Sequence, residues 1–243
     1  MKTAGIIGCG NIARVHGWVL QKMQDVELVA VCDTQLNKAK EVSKIYTGGS
    51  AATFTDWREL LKKKPDVIHI CTPHYLHTPM AVEALKQGMA VFMEKPCAIS
   101  GEQFEELKRM DKEHPGKLGF CFQNRYNETT LAMDSMLKEG VIGEVKGARA
   151  FVTWCRDEEY YEGSDWKGKW STEGGGVLIN QSIHTLDLLL HYLGEPVEIE
   201  ATMSNHHLKE CIQVEDTVEA WLSLFLCYEW LCDRCTGFSG TAG

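Results

Sequence analysis

The stretch Thr3-Ala4-Gly5-Ile6-Ile7-Gly8-Cys9-Gly10-Asn11-Ile12-Ala13 passes from a short apolar run, through a G-x-G-x-x-A turn, into an amphipathic segment. Its reading decides the fold of the first half of the chain. The motif lies directly after a strand and at the mouth of a helix, which is the context that gives it meaning. Gly8 permits the tight turn and Gly10 lets the backbone approach a pyrophosphate. Ala13 allows close packing of helix on strand, and the helix N-terminus attracts phosphate charge. Gly8, Gly10, Asn11 and Ile12 are therefore candidate cofactor-binding residues. Asp33 closes the next strand at the expected distance of about 20 residues, placed to accept hydrogen bonds from a ribose diol. Its negative charge repels a 2′-phosphate, so NAD is favoured over NADP. A flavin or adenosylmethionine is the alternative that the turn leaves open.

Outward from that turn, short β-branched runs alternate with helical patterns. Strands are expected at Thr3–Ile7, Val26–Cys32, Val67–Cys71, Ala90–Met93 and Lys117–Phe122. Helices are expected at Asn11–Lys22, Leu36–Ile45, Trp57–Lys63, Thr78–Gln87, and from Ser100 to about Lys112. Thr78 reads as an N-cap, with Pro79 at the first helical position and Gly88 as the stop. Residues 1–122 thus read as an α/β, doubly wound, parallel-sheet Rossmann domain. The rhythm then changes, and residues 123–243 read as an α+β domain with a mostly antiparallel sheet. Its expected elements are a helix at Glu128–Lys138, a long strand at Glu144–Cys155 and an aromatic, glycine-rich loop at Asp157–Glu173. A helix at Gly176–Leu193 and strands at Val197–Met203 and Thr217–Phe225 follow.

Composition narrows the functional class. The 243 residues carry a formal net charge of -9, and no Lys/Arg-rich stretch offsets it, which argues against nucleic-acid or anionic-membrane partners. The first residues lack the apolar run of a secretory signal, and Ala220–Cys232 is too short to span a bilayer and carries Glu229. The ten cysteines are spread through a chain too long to need disulfide staples, so they are expected to be reduced thiols of a cytoplasmic protein. Cys232-Asp233-Arg234-Cys235, with Cys227 upstream, is a weak metal signal, and no metal is expected. A small-molecule ligand is the better expectation.

Three further motifs carry a resemblance. Cys71-Thr72-Pro73-His74-Tyr75-Leu76-His77, then Met93-Glu94-Lys95-Pro96, then Glu173-Gly174-Gly175-Gly176-Val177-Leu178-Ile179-Asn180-Gln181-Ser182-Ile183-His184-Thr185-Leu186-Asp187 occur in this order. Over residues 1 to about 224 the chain resembles the Gfo/Idh/MocA oxidoreductases, relatives of glucose-fructose oxidoreductase and inositol dehydrogenase. The resemblance implies NAD(P)-dependent hydride transfer at a carbon of a sugar, inositol or sugar derivative. It implies that Lys95 hydrogen-bonds the reacting hydroxyl, that Glu94 contacts the nicotinamide ribose, and that Thr72, Pro73 and His77 line the cofactor. His74 stands where the family usually has Asn.

Asn180 and His184 are four apart and share one helical face, with Asp187 a turn further on. An imidazole suits removal of the hydroxyl proton, so His184 is the expected base. An amide cannot share a proton, so Asn180 orients. Arg125, Trp166 and Lys167, with Lys95, Asn180 and His184, are the expected substrate contacts. For Arg125 a surface salt bridge is nearly as good a reading, and the loop of Trp166 and Lys167 could equally serve packing or oligomer contacts. A homo-oligomer, dimer or tetramer, through the second sheet is expected. Beyond Phe225 the segment Leu226–Gly243 departs from the family pattern, and an incomplete second domain is expected. The alternative functions are a catalytically silent NAD-sensing regulator of the same fold, or NAD-assisted elimination or glycoside cleavage.

Overall fold

The computed structural model describes residues 1–224. The readings of Cys227, Cys232, Cys235 and the segment 226–243 lie outside the described residues. The chain divides into two compact units: Met1–Cys121 with Asp165–Gly174, and Phe122–Ser164 with the residues from Gly175 onward.

The first unit holds β1 (Lys2–Ile7), α1 (Asn11–Lys22), β2 (Val26–Cys32), α2 (Leu36–Thr47), β3 (Ala52–Phe54), α3 (Trp57–Leu61) and β4 (Val67–Ile70). A 3-10 turn (His74–Leu76), α4 (His77–Lys86), β5 (Ala90–Met93), α5 (Gly101–Glu113) and β6 (Leu118–Phe120) complete it. The strands form one parallel sheet in the order β3-β2-β1-β4-β5-β6. The order reverses between β1 and β4, and there the carboxyl ends open a crevice. Alternate residues of each strand feed different cores, as the two-residue period requires. Ile68, Ile70, Val91 and Met93 pack with Leu61, Leu85 and Met110, whereas Ala4, Ile6 and Val31 pack with Ala13, Leu20 and Val42.

Two local readings change in this unit. Thr78 is not an N-cap but lies inside α4, because the preceding 3-10 turn already supplies the entry and closes with Leu76 N–H donating to Pro73 O at 3.0 Å. Its hydroxyl donates instead to Cys97 O at 3.0 Å. The segment 165–174, read as part of the second domain, packs with the first: Tyr75 N–H donates to Thr172 O at 3.2 Å.

The second unit contains a 3-10 turn (Gln123–Tyr126), α6 (Glu128–Lys138), α7 (Glu158–Glu162), α8 (Ile183–Leu193), β7 (Pro196–Ser204) and β8 (Thr217–Leu224), the last two antiparallel. The long strand expected at Glu144–Cys155 is irregular. Alternating side chains make a strand only where a neighbour accepts its backbone bonds, and among the described residues β7 and β8 pair only with each other. The helix expected from Gly176 begins only at Ile183. The backbone before it is bound elsewhere: Gly176 N–H donates to Glu215 Oε2 at 2.9 Å, Leu178 N–H to Glu215 Oε1 at 3.1 Å, and Val177 N–H to Glu215 O at 3.2 Å. No helix of the described residues is long and apolar enough to cross a membrane.

Gly176 is where this turn is least tolerant, since a Cβ there would fall well inside van der Waals contact with the Glu215 carbonyl. The clash is with backbone and cannot be relieved by a rotamer change. Gly176→Ala is expected to cost more than ordinary overpacking, at least about 3 kcal/mol in denaturant unfolding; a loss below about 1 kcal/mol would contradict the packing described.

Candidate active site

The chain leaving β1 is wedged between the ends of two neighbouring strands. Gly8 has φ +88°, its N–H donates to Cys32 O at 2.8 Å, and a Cβ on it would lie 2.5 Å from Cys71 O. Gly10 has the opposite environment: a Cβ there would meet nothing within 4 Å. It stands at the N-cap of α1 with no side-chain cap bond, and the first turn holds no acidic residue. Asn11 and Ile12 are exposed beside it. The open N–H groups and positive dipole end of α1 form a cradle for an anion, and the residues present fit a dinucleotide pyrophosphate.

Asp33 stands beside this cradle and serves the turn itself. Its Oδ2 accepts from Cys9 N–H at 2.9 Å and its Oδ1 from Gln35 N–H at 2.8 Å. The carboxylate is therefore aimed by two backbone donors while each oxygen keeps a further lone pair. Cys9 and Cys32, flanking it, are buried, and burial together with Asp33 pushes both thiols up to about 12. They are inert small hydrophobes here.

At the end of β5, Glu94 is 7% exposed. Its Oε1 lies 2.9 Å from His16 Nε2, so the carboxylate expected on the ribose faces the interior of the unit. Burial works against its ionisation, but hydrogen bonds from His16 and Cys121 and the charge of Lys95 prevail and hold it below its ordinary value. The ligand atoms of His16, Glu94 and Cys121 lie within 4.8 Å of one another, with a direct hydrogen bond joining the first two. Lys95 follows, half-buried, and the Lys95–Pro96 bond is cis.

His77 is not exposed to a ligand. It is 1% exposed, with Nδ1 2.7 Å from Pro96 O and Nε2 2.8 Å from Thr72 O. Burial lowers its pKa, and a neutral ring donates to one carbonyl at a time. It acts as a bracket that ties the Thr72-Pro73 loop to the Lys95-Pro96 loop, and Thr72 and Pro73 remain half-buried beside it. His74 is equally internal, pushed down to about 3 by burial, with Nδ1 2.9 Å from Glu173 O and its ring 4.5 Å from that of Trp166. These contacts place Trp166 and Lys167 in the first unit. Glu173, fully buried, accepts from Gly168 N–H at 2.5 Å and shapes that loop.

In the second unit, His184 is half-buried on α8, with the Phe122 ring edge-on at 5.8 Å. Asn180 belongs to the turn before α8, so it does not share a helical face with His184; its Nδ2 lies 3.4 Å from Tyr160 Oη. Arg125, expected to meet substrate, makes a bidentate pair with Asp187, Nε to Oδ2 at 2.8 Å and Nη2 to Oδ1 at 2.5 Å. The salt-bridge reading is the one realised. His191 is paired with Asp134 at 2.9 Å.

The arrangement can be set beside known proteins. Residues 2–121 match the family model described as an oxidoreductase family with an NAD-binding Rossmann fold, and residues 130–224 match the GFO/IDH/MocA C-terminal domain. The D-glucoside 3-dehydrogenase of Escherichia coli (strain K12) is 36% identical over 198 residues, covering 79% of this chain and 54% of that protein. The inositol 2-dehydrogenase of Rhizobium meliloti (strain 1021) is 28% identical, covering 82% and 57%. This chain thus spans little more than half the length of these relatives. A solved structure of the WlbA dehydrogenase from Bordetella pertussis, in complex with NADH and UDP-GlcNAcA, superposes with a TM-score of 0.79 at 30% identity, covering 90% of this chain and 66% of that one.

The two glycines of the turn separate folding from binding. Gly8→Ala is expected to lower stability by about 1–3 kcal/mol through strain and contact with Cys71. Gly10→Ala is expected to keep the wild-type melting curve but lose at least tenfold in NAD affinity, about 1.4 kcal/mol. Thermal melts alongside calorimetric titration with NAD check both.

Proposed function

The chain belongs to the GFO/IDH/MocA oxidoreductase family, whose N-terminal half is an NAD-binding Rossmann fold, and from that premise we propose that it transfers hydride between a secondary alcohol of a sugar or cyclitol and NAD. The observation that carries the reading is the uncapped N-terminus of α1 with the aimed carboxylate of Asp33 beside it, followed at the end of β5 by Lys95. NAD, when bound, supplies the hydride acceptor. Gly8, Gly10, Asn11 and Ile12 would hold its pyrophosphate, Asp33 its ribose diol, and the Thr72-Pro73 loop the ribose nearer the nicotinamide.

In this reading Lys95 donates a hydrogen bond to the reacting hydroxyl and stabilises the alkoxide character that grows as the C–H bond breaks. His184 takes the hydroxyl proton. Asn180, aimed by Tyr160, orients a neighbouring hydroxyl. Trp166 offers an apolar face to a sugar ring, and Lys167 hydrogen bonds to its hydroxyls. Arg125 acts through Asp187 by fixing α8, not on substrate. The D-glucoside 3-dehydrogenase and inositol 2-dehydrogenase among the relatives support a carbohydrate or cyclitol substrate.

A panel of sugars, glycosides and inositols with NAD, followed at the NADH absorbance, is expected to give turnover with at least one polyol. Lys95→Ala and His184→Ala should each lower kcat at least about 10²-fold, in the range of a lost acid–base group. Tight NAD binding with no turnover on any polyol would instead mark a nucleotide-sensing regulator, and release of an aglycone without net NADH would mark redox-assisted glycoside cleavage.

Asp33 sets the cofactor preference by charge. Asp33→Ser is expected to narrow the NAD over NADP preference in kcat/KM by at least about tenfold, equivalent to about 1.4 kcal/mol; an unchanged ratio would remove its role at the ribose.

A further inference from the structure

We propose that His16, Glu94 and Cys121 form a binding site for a zinc ion, an inference that goes beyond the hydride-transfer reading and does not rest on it.

The three residues come from separate elements of the first unit. His16 shares the inward face of α1 with Ala13, Gly17 and Leu20, Glu94 follows β5, and Cys121 follows β6. A nitrogen, an oxygen and a sulfur thus converge, all within 4.8 Å of one another. No spacing motif announces them, since His16 and Glu94 alone are 78 positions apart. His16 and Glu94 are 6% and 7% exposed, and Cys121 is half-buried, so the thiol is the ligand within reach of solvent. The backbone of Glu94 is fixed, its N–H donating to Ile70 O at 3.0 Å.

Glu94 is the centre of the set. Its Oε1 lies 2.9 Å from Nε2 of His16, and the Cys121 thiol hydrogen-bonds the same carboxylate. An ionised carboxylate only accepts, so an N–H and an S–H both point at it, and a metal ion can take the place of those protons. A carboxylate, a thiolate and a neutral imidazole around a divalent cation sum to zero charge, so burial does not penalise the loaded site as it would an unpaired ion. Bonds of about 2.0–2.3 Å place tetrahedral zinc ligands roughly 3.3–3.7 Å apart. Side-chain shifts on the order of 1 Å bring the three atoms into that range. His16 also has the second partner that a metal-bound imidazole needs. Coordination through Nε2 leaves the ring proton on Nδ1, which lies 2.9 Å from Nδ1 of His69 on β4, and that ring, neutral through burial, accepts it. The rings of His69 and Phe92 hold the imidazole in place at 5.2 and 5.8 Å. The Cys121 thiol releases its proton to solvent as the sulfur binds, and water supplies the fourth ligand. The mixed nitrogen, oxygen and sulfur set selects zinc over magnesium and calcium, which take oxygen ligands.

The test uses the whole chain carrying Cys227→Ser, Cys232→Ser and Cys235→Ser, so that the C-x-x-C segment contributes no thiolate. Kept reduced with a phosphine, this protein is titrated calorimetrically with zinc and spectroscopically with cobalt(II). One zinc per chain is expected, with a thiolate-to-cobalt charge-transfer band and the visible bands of a four-coordinate ion. Cys121→Ser, Glu94→Gln and His16→Gln, each added singly, are expected to weaken zinc binding at least about 100-fold, and Cys121→Ser to abolish the charge-transfer band. His69→Phe, which removes only the partner of the ligating ring, should weaken it by about 10–100-fold. Magnesium should not displace the zinc. Absence of zinc binding, a cobalt spectrum without the thiolate band, or zinc affinity unchanged by Cys121→Ser overturns the proposal. The cobalt spectrum of the parent protein needs none of the ligand substitutions, so it decides even where a ligand variant fails to fold. The outcome is independent of polyol turnover, which tests the dehydrogenase reading alone.

Discussion

The close approach at Gly8 governs the first unit. Its N–H is taken by the last carbonyl of β2, while the Cys71 carbonyl beyond β4 occupies the space that a side chain would need. The turn after β1 can therefore rise only between its two neighbouring strands. That constraint sets the start of α1, and with it the direction of four N–H groups that no residue of the helix itself satisfies. Asp33 straps the same turn through Cys9 N–H. One α-helical turn further on, the geometry delivers His16 to the end of β5, where Glu94 meets it. A binding cradle and a buried polar chain descend from a single glycine contact.

Carboxylates recur as the device that fixes irregular backbone. Glu173 holds Gly168, Glu215 holds Gly176 and Leu178, and Asp216 receives the N–H groups of His206, His207 and Leu208. In each case a carboxylate accepts from a turn whose N–H groups have no helical or sheet partner, which is how backbone donors are satisfied outside regular structure. Burial works against the charge of Asp216, yet those bonds and one from Thr217 hold its carboxyl down at about 2. Part of the acidic excess of the chain is structural rather than a signature of its ligand.

The Rossmann half was legible because its signals are local and redundant. Asn11–Lys22, Val26–Cys32 and Ala90–Met93 match their expected bounds, since periodicity, glycine punctuation and β-branching agree there. β3 escaped notice because three residues, Ala52–Phe54, carry no period. The segment 144–155 alternates without a partner to make it a strand, and 165–174 packs by tertiary bonds to His74 and Tyr75 that no local pattern announces. The nucleotide turn and Asp33 were readable from spacing. The inward turn of Glu94 was not, because it depends on a helix that lies 78 positions away in sequence. A signal did exist: His69 interrupts the apolar run Val67-Ile68-His69-Ile70 of a central strand, and His16 sits three residues after the buried Ala13 on one helical face. Polar side chains at core positions need partners, and these two are each other's.

Burial also sorts the imidazoles by what they can do. His69, His74 and His77 are enclosed deeply enough that desolvation lowers their proton affinity, and both contacts of His77 are to backbone carbonyls. A ring so held cannot accept and release a proton at neutral pH without breaking the bonds that position it. His191 is committed to Asp134. His184 differs in being half-buried on α8, a helix pinned at Asp187 by the bidentate Arg125 and preceded by the turn that Glu215 straps. Asp187 lies one turn beyond His184 on α8 and the strapped turn precedes the helix, so both act on the ring through the backbone. Such support through the backbone is what a rigidly placed general base requires. It is the ground on which the base role is proposed for His184, with His74 and His77 as supports of the first unit.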